Sequence, residues 1–419
     1  MNRLKQEKII VRKINFGDIY KLQKFYYTAY GFQARYRFPE RWEWLYKNNP
    51  WIQEEQVNIY IAESLDKSIL GHTGALNVPC KVLDNKIIIS WSIDTIVLPE
   101  WRGKGIGKKL QITNQNNNEL FASLSMSEAN KKIKLQINGS LGPECILFIH
   151  FASFNHKNQY FSIYTKIKKV IPSFLAHLST ALLYPLVIVA FYWLRQKQKK
   201  ASSENYNHVY NLKEKNAHFG READIFWSEV RKRYNFAVER NSKYLNWRYA
   251  SIPWCTFYSL EVRDKWNCIL GQAIYRMTDE PEHEVGIITE LMDKEADVEM
   301  LKVLVLEARD RLIKRGAKQV FIASSDTTHH KAIKKAGFLE ISKNNLVYHY
   351  RKNLALFNSE TSVLLTKGDQ DWDQYPLARE LSTLKTILIL LRTEKKRIKK
   401  FITNWHQIVV LAINKNQRQ

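Results

Sequence analysis

Two rhythms of apolar residues alternate along this chain, and their order predicts its elements. Lys86 to Leu98 (KIIISWSIDTIVL) is β-branched and apolar and predicts a strand; Pro99 ends it and a helix is expected to start near Gly105. Over Glu295 to Lys314 the apolar residues Met300, Val303, Leu304, Leu306 and Leu312 fall at helical spacing. Gln319 to Ser324 then reads as a strand, and Lys331 to Ala336 as a helix stopped by Gly337. Aromatic-rich stretches, Phe25 to Trp44 and Phe226 to Trp247, predict helical openings, each followed by a strand pair that ends at an Ile-Leu-Gly turn. The pattern is mixed α/β (α+β).

It also occurs twice. Trp44-Leu-Tyr46-Lys-Asn-Asn-Pro50-Trp51 and Trp247-Arg-Tyr249-Ala-Ser-Ile-Pro253-Trp254 share the form W-x-Y-x3-P-W. Ile69-Leu70-Gly71 matches Ile269-Leu270-Gly271, and Ser127-Glu128 with Gly139 matches Ser325-Asp326 with Gly337. Three landmarks in one order at nearly constant spacing predict a duplicated domain. The expected units are residues 1–170, a connecting segment 171–219, a second copy over 220–352, and a linker with a C-terminal helix over 353–419.

Two segments fall outside the repeat. Phe174 to Leu194 is free of Asp, Glu, Lys and Arg and is followed by the basic run Arg195 to Lys200. Its length would span a bilayer, yet a crossing here would separate the copies. A helix broken near Pro185, packed between the copies or dipping into one leaflet, is therefore expected. The tail from 381 to 419 carries nine Lys/Arg against Glu394 alone, with Leu384, Leu388, Leu391, Ile398, Ile402, Trp405, Val409 and Ala412 at 3/4 spacing. That predicts a basic amphipathic helix suited to an anionic membrane face or to the protein's own core. The acidic stretch 369–373 reads as a linker.

Composition adds charge. Lys+Arg 65 against Asp+Glu 41 gives +24 over 419 residues, which favours an anionic partner. A hydrophobic share of 45% excludes disorder. Cys80, Cys145, Cys255 and Cys268 form no CxxC pair, and the N-terminus shows no apolar signal region, so a reducing cytoplasm is expected. His329-His330 point about 100° apart on a helix and lack a ligand partner at a suitable spacing, so no metal is expected.

The chemistry is concentrated in Arg102-Gly103-Lys104-Gly105-Ile106-Gly107-Lys108, between the predicted strand and helix. Glycines let backbone amides approach an anion at a helix N-terminus, and three cations surround the turn. The spacing fits neither a Walker loop nor G-x-G-x-x-G. With its approach Val97-Leu-Pro-Glu-Trp101, the stretch resembles motif A, R/Q-x-x-G-x-G/A, of the GNAT superfamily of acetyl-CoA-dependent acyltransferases. The resemblance implies two tandem GNAT-like domains, acetyl-CoA bound by Arg102 to Lys108, and direct acyl transfer to an amine or hydroxyl acceptor. It also implies that Ile96 and Val97 on the central strand supply backbone donors to the pantetheine and thioester. Asp94 is the candidate general base, with Glu128 as an alternative. The family's usual tyrosine acid is replaced by Leu135 in the first copy and Ile333 in the second. Shifting motif A by 198 residues lands on Met300 to Ala308, with Val303 and Val305 at glycine positions, so the second copy is expected not to bind CoA. Trp91, Trp101 and the aromatics of 41–46 are expected in the core, or else lining the acceptor pocket.

The expected acceptor is either a cell-envelope or polysaccharide precursor, handled by a cytoplasmic enzyme peripheral to the inner face of the membrane, or a soluble amine, with the apolar segment joining the two copies. The rival is a non-catalytic protein of this fold that binds anionic surfaces or nucleic acid. No helix-turn-helix, zinc-finger or RRM pattern occurs, so no specific nucleic-acid partner is expected.

Overall fold

The structure, a computed structural model, describes residues 9–52, 57–153, 156–202, 210–278, 284–352 and 355–370. The basic amphipathic tail expected over 381–419 lies outside these residues. The N-terminal half contributes strands β1 (Ile10–Lys13), β2 (Ile59–Glu63), β3 (Ile69–Val82), β4 (Asn85–Val97), β5 (Leu120–Ser123) and β6 (Ser140–Phe151). The C-terminal half contributes β7 (Asn211–Asn216), β8 (Phe236–Val238), β9 (Tyr258–Arg263), β10 (Ile269–Met277), β11 (Val285–Asp293), β12 (Gln319–Ser324), β13 (Leu339–Tyr350) and β14 (Val363–Leu364). Six strands of each half correspond in order, with starting residues about 200 apart.

All strands join one 14-stranded sheet, whose main path runs β1-β2-β3-β4-β5-β13-β6-β12-β11-β10-β9-β7. The path is symmetric about its centre, and the central strands are exchanged. β6 leaves the first half to pair with β12, β13 leaves the second to pair with β5, and the two pair with each other. Each of the expected units, 1–170 and 220–352, thus lends one strand to the other's side of the sheet. Exchange removes the free sheet edge that each half would expose alone.

The repeated W-x-Y-x3-P-W motif lies at this join. The Trp44 and Trp247 rings stack at 4.5 Å, and Trp44 Nε1 donates to the Trp247 carbonyl at 3.0 Å. Trp51 and Trp254 meet them edge-on. Trp42, Trp44, Tyr46 and Trp91 are buried, so most of the aromatics weighed as pocket lining are core.

The helices that matter below are α1 (Ile19–Tyr30), α2 (Ile106–Asn116), α3 (Glu128–Gln136), α4 (His156–Ile167), α5 (Ser173–Ser202), α6 (Arg221–Val230), α7 (Val298–Lys314) and α8 (Thr327–Lys335). Two expectations need correction. The first aromatic stretch is not one helix: after α1 it passes through tighter turns to a π-helical turn at Glu43–Lys47. The second is interrupted by β8. α5 is likewise unbroken at Pro185, whose ring costs one backbone hydrogen bond within a long helix.

The start of the stretch expected to be a linker, Asp369 and Gln370, belongs with 363–366 to the core, and 371–373 lie outside the described residues. β14 pairs with β8, and Asp369 is buried against Arg240. This strap, residues 363–370, continues past the ends of β11 and β12, where Thr366 bridges Ser324.

Candidate functional site

β4 pairs with parallel β5 only from Ile89/Leu120 to Trp91/Ala122, then runs on to Val97 against β3. Among the described residues no strand pairs with the other edge of 92–97, so a cleft opens between the ends of β4 and β5. The motif A loop stands at its mouth. Gly103 and Gly105 have φ of +79° and +78°, and a Cβ on either would meet nothing within 4 Å. Their conformation favours glycine, and the space above them is open. Gly105 is the N-cap of α2 and offers no side chain to the helix's first amides, and the exposed Arg102, Lys104 and Lys108 surround that helix end with positive charge. Arg102 Nε donates to the Val97 carbonyl at 3.0 Å, and Lys104 lies 4.0 Å over the Trp101 ring.

Gly107 and Ile106 differ from this set. Gly107 has no left-handed φ, and its Cβ would pack at 3.8 Å from Val97. The Ile106 side chain is buried with Tyr60, Ala62, Leu70 and Leu110, which leaves only its amide for a ligand.

Ahead of the loop, β4 carries a bulge: Ile93 pairs with Gly74 and Ile96 with His72, so Asp94 and Thr95 oppose Thr73 alone. Asp94 takes φ +51° there. Its carboxylate accepts from Arg41 at 2.5 Å and has Arg37 at 3.7 Å. The Asp94 carbonyl receives His72 Nδ1–H at 2.8 Å, which leaves His72 Nε2 to accept from Tyr26 OH at 3.0 Å. Burial pushes His72 down to about 4, so it stays neutral at neutral pH. Asp94 is thus committed to two guanidiniums and to holding the bulge. Glu128 sits exposed in the first turn of α3.

A buried polar layer joins α2 to the bulge. Gln111 Nε2 donates to Thr95 Oγ1 at 2.6 Å, Thr73 and Thr95 share a hydrogen bond at 2.8 Å, and Asn114 Nδ2 reaches the Gly74 carbonyl at 3.2 Å. Gln111 Oε1 in turn accepts from Lys134 of α3 at 2.7 Å. Sequence reasoning passed over these residues. Their signal was two amides, Gln111 and Asn114, beside Leu110 on the inward face of an otherwise ordinary helix.

Desolvation lowers Lys134 from 10.5 to about 7. Between these values the folded chain binds fewer protons than the unfolded one, so this contribution to stability is full above pH 10.5 and is lost as pH falls through 7. Lys134 should therefore contribute a rise of about 1.4 kcal/mol per pH unit over the window. Lys134→Met should flatten the rise and unfold at higher temperature at pH 7; equal pH slopes in denaturant titrations would contradict this.

In the second half the corresponding place is closed. A Cβ on Gly71 would meet Leu110, and one on Gly271 would meet Leu304, so Leu110 corresponds to Leu304 and not to Ala308. Gly105 and Gly107 then correspond to Glu299 and Leu301. The expected counterparts, Val303 and Val305, are instead buried on α7. What blocks an anion is Asp297, whose carboxylate caps α7 by accepting from the Glu299 and Met300 amides at 2.9 and 3.1 Å. The strap fills the cleft beside β11: Thr366 Oγ1 donates to Glu290 at 2.8 Å, and a Cβ on Gly368 would strike Tyr249 and Glu290. In the first half the strap contributes Gln370, which spans the apex from the Ser92 carbonyl to the Leu124 amide. His329 and His330 bond to Ser324, through its hydroxyl and its carbonyl respectively.

No protein-family model matches the sequence, and no curated protein matches it. Solved structures do. A GCN5-related N-acetyltransferase from Anabaena variabilis ATCC 29413 superposes with a TM-score of 0.50 at 9% identity, covering 82% of this chain and 73% of that one. A probable N-acyltransferase from Enterococcus faecalis V583 gives 0.49 at 8% identity, over 82% and 72% of the two chains. The N-myristoyltransferase of Saccharomyces cerevisiae gives 0.49 at 10%, over 84% of each. With its splayed parallel pair, its bulged central strand and the loop between them, this chain has the fold of the GCN5-related N-acetyltransferases.

Proposed function

We propose that this protein is an acyl-CoA-dependent acyltransferase of the N-acetyltransferase type, working through its N-terminal half. The observation that carries this reading is the contrast between two equivalent helix ends. α2 begins at a left-handed glycine with open space above it, whereas α7 is capped by its own Asp297. The fit to a CoA diphosphate is chemical: the amides of 103–108 with Arg102, Lys104 and Lys108 supply donors and positive charge, and among the described residues none comes within 4 Å of a Cβ built on Gly103 or Gly105. Acetyl-CoA is the proposed co-substrate and supplies the activated acyl group. Backbone amides near Ile96 and Val97 would stabilise charge developing on the thioester oxygen.

Asp94 is given a positioning task instead of that of base, because its oxygens are held by Arg41 and Arg37. The acceptor is an amine or hydroxyl. The exposed apolar face of α5 favours one held at a membrane, such as a cell-envelope or polysaccharide precursor. Isothermal titration of the full chain with CoA should show saturable binding at one site. Absence of binding would overturn the proposal.

A further inference from the structure

The inner face of α5 changes character near its end. Val187, Phe191 and Leu194 are buried at 3/4 spacing and pack on Ile149, Phe151, Val285, Phe321 and Leu339 of the sheet. The next position in that stripe is Gln198, which is only 1% exposed. Neither its amide nitrogen nor its oxygen has a hydrogen-bond partner among the described residues. A leucine here would extend the apolar contact, whereas a buried, unpaired amide opposes folding. The amide is explained if it faces a ligand.

Gln198 lines a cavity of about 190 Å³ between α5, α7 and the end of β6. Arg195 and Lys199 join it from α5, where spacings of three and four residues put them on one side of the helix. α7 adds Arg309 and Asp310, and β6 adds His150 and Phe151. Three cationic side chains thus stand against one carboxylate, and that carboxylate accepts from Arg309 Nε at 2.7 Å. Arg309 Nη1 donates to the Ala336 carbonyl at 3.1 Å, which fixes the guanidinium beside the cavity. His150 Nδ1 is buried and unpartnered as well. Burial, with Arg309 and Arg195 nearby, pushes His150 down to about 3, so its ring is neutral and can offer one N–H.

The balance of charge selects an anion. A volume below the usual range of ligand pockets, about 300–1,000 Å³, selects a small one. The Gln198 amide brings both a donor and an acceptor, which suits an anion that keeps a hydroxyl. We propose that this cavity binds the phosphate group of a small soluble anion, either inorganic phosphate or a short phosphomonoester, through Arg195, Gln198 and Arg309. Such a ligand touches elements of both halves as well as α5, and so fastens the connecting helix to the shared sheet. The site has no residue in common with the glycine-rich loop and needs no acyl transfer.

Thermal unfolding of the full chain tests it, in chloride, sulfate, inorganic phosphate or glycerol 3-phosphate at one ionic strength. A ligand that binds only the folded chain raises the unfolding temperature as its concentration grows. Inorganic phosphate or glycerol 3-phosphate should do so beyond chloride, and beyond sulfate, which carries no hydroxyl at neutral pH. The stronger of the two assigns the source. Gln198→Leu should unfold at a higher temperature than wild type in chloride, and should bind either phosphate at least about 10-fold more weakly. Arg195→Gln should weaken them by a similar factor and leave the unfolding temperature in chloride unchanged. Gly105→Val, in the loop, should keep the response that Gln198→Leu removes. No response of wild type beyond chloride would overturn the proposal, as would an equal response to sulfate. A response lost in Gly105→Val and kept in Gln198→Leu would also overturn it, and would assign phosphate to the loop.

Discussion

Gly105→Val is expected to weaken CoA binding by about 100-fold or more, near 3 kcal/mol of binding free energy, while the chain stays folded. Gly105 holds φ +78°, a conformation that costs an L-residue about 1–2 kcal/mol. The new side chain would enter the open space above α2, where an anion must approach the helix amides. Gly107→Ala is the informative contrast. It adds a methyl at ordinary contact distance from Val97 and Ile133, away from the cradle, and should change affinity only a few-fold. Calorimetric titration of both variants with CoA checks this. Equal affinities for wild type and Gly105→Val would remove the cradle from the binding site.

The largest effect on stability is expected at Arg240. Its guanidinium is fully buried and donates to Glu290 at 2.9 Å, to both Asp369 oxygens at 2.9 Å, to Thr366 at 3.1 Å and to the Val238 carbonyl at 2.7 Å. Arg240→Met leaves two carboxylates facing each other without a counter-charge, and should cost about 3–5 kcal/mol. Asp369 is only 1% exposed, and this burial pushes its carboxyl up to about 6. Adding Glu290→Gln and Asp369→Asn to Arg240→Met should restore much of the loss, because the penalty belongs to the unpaired charges. Chemical denaturation of the single and triple variants measures both. A loss below about 1 kcal/mol for Arg240→Met would mean the strap is not bound as described.

Some of this architecture was legible along the chain. KIIISWSIDTIVL read as a strand, and an Arg-Gly-Lys-Gly-Ile-Gly turn after it read as the approach to a helix, because β-branching and glycine act through the local backbone. The duplication was legible because repeated landmarks keep their spacing whatever they touch. The register of the second motif A was misread for a related reason. A constant offset assumes equal loops, whereas the second half shortens the loop and starts its helix earlier, so Leu304 takes the place of Leu110.

The sequence by itself determined the order of the main strands and helices, the doubling and the place of the glycine-rich turn, since all of these follow from periodicity and local backbone preference. Only the tertiary structure decided the rest. It exchanged β6 and β13, because the sheet gains most when neither half keeps an edge. It turned residues 363–370 from an apparent linker into core, because Asp369 finds Arg240 from 129 positions away. It gave Asp94 to Arg41 and Arg37, and it packed one face of α5 while leaving the other bare. These outcomes depend on partners distant in the chain, and periodicity carries no information about which distant partner a buried charge or an apolar face will meet.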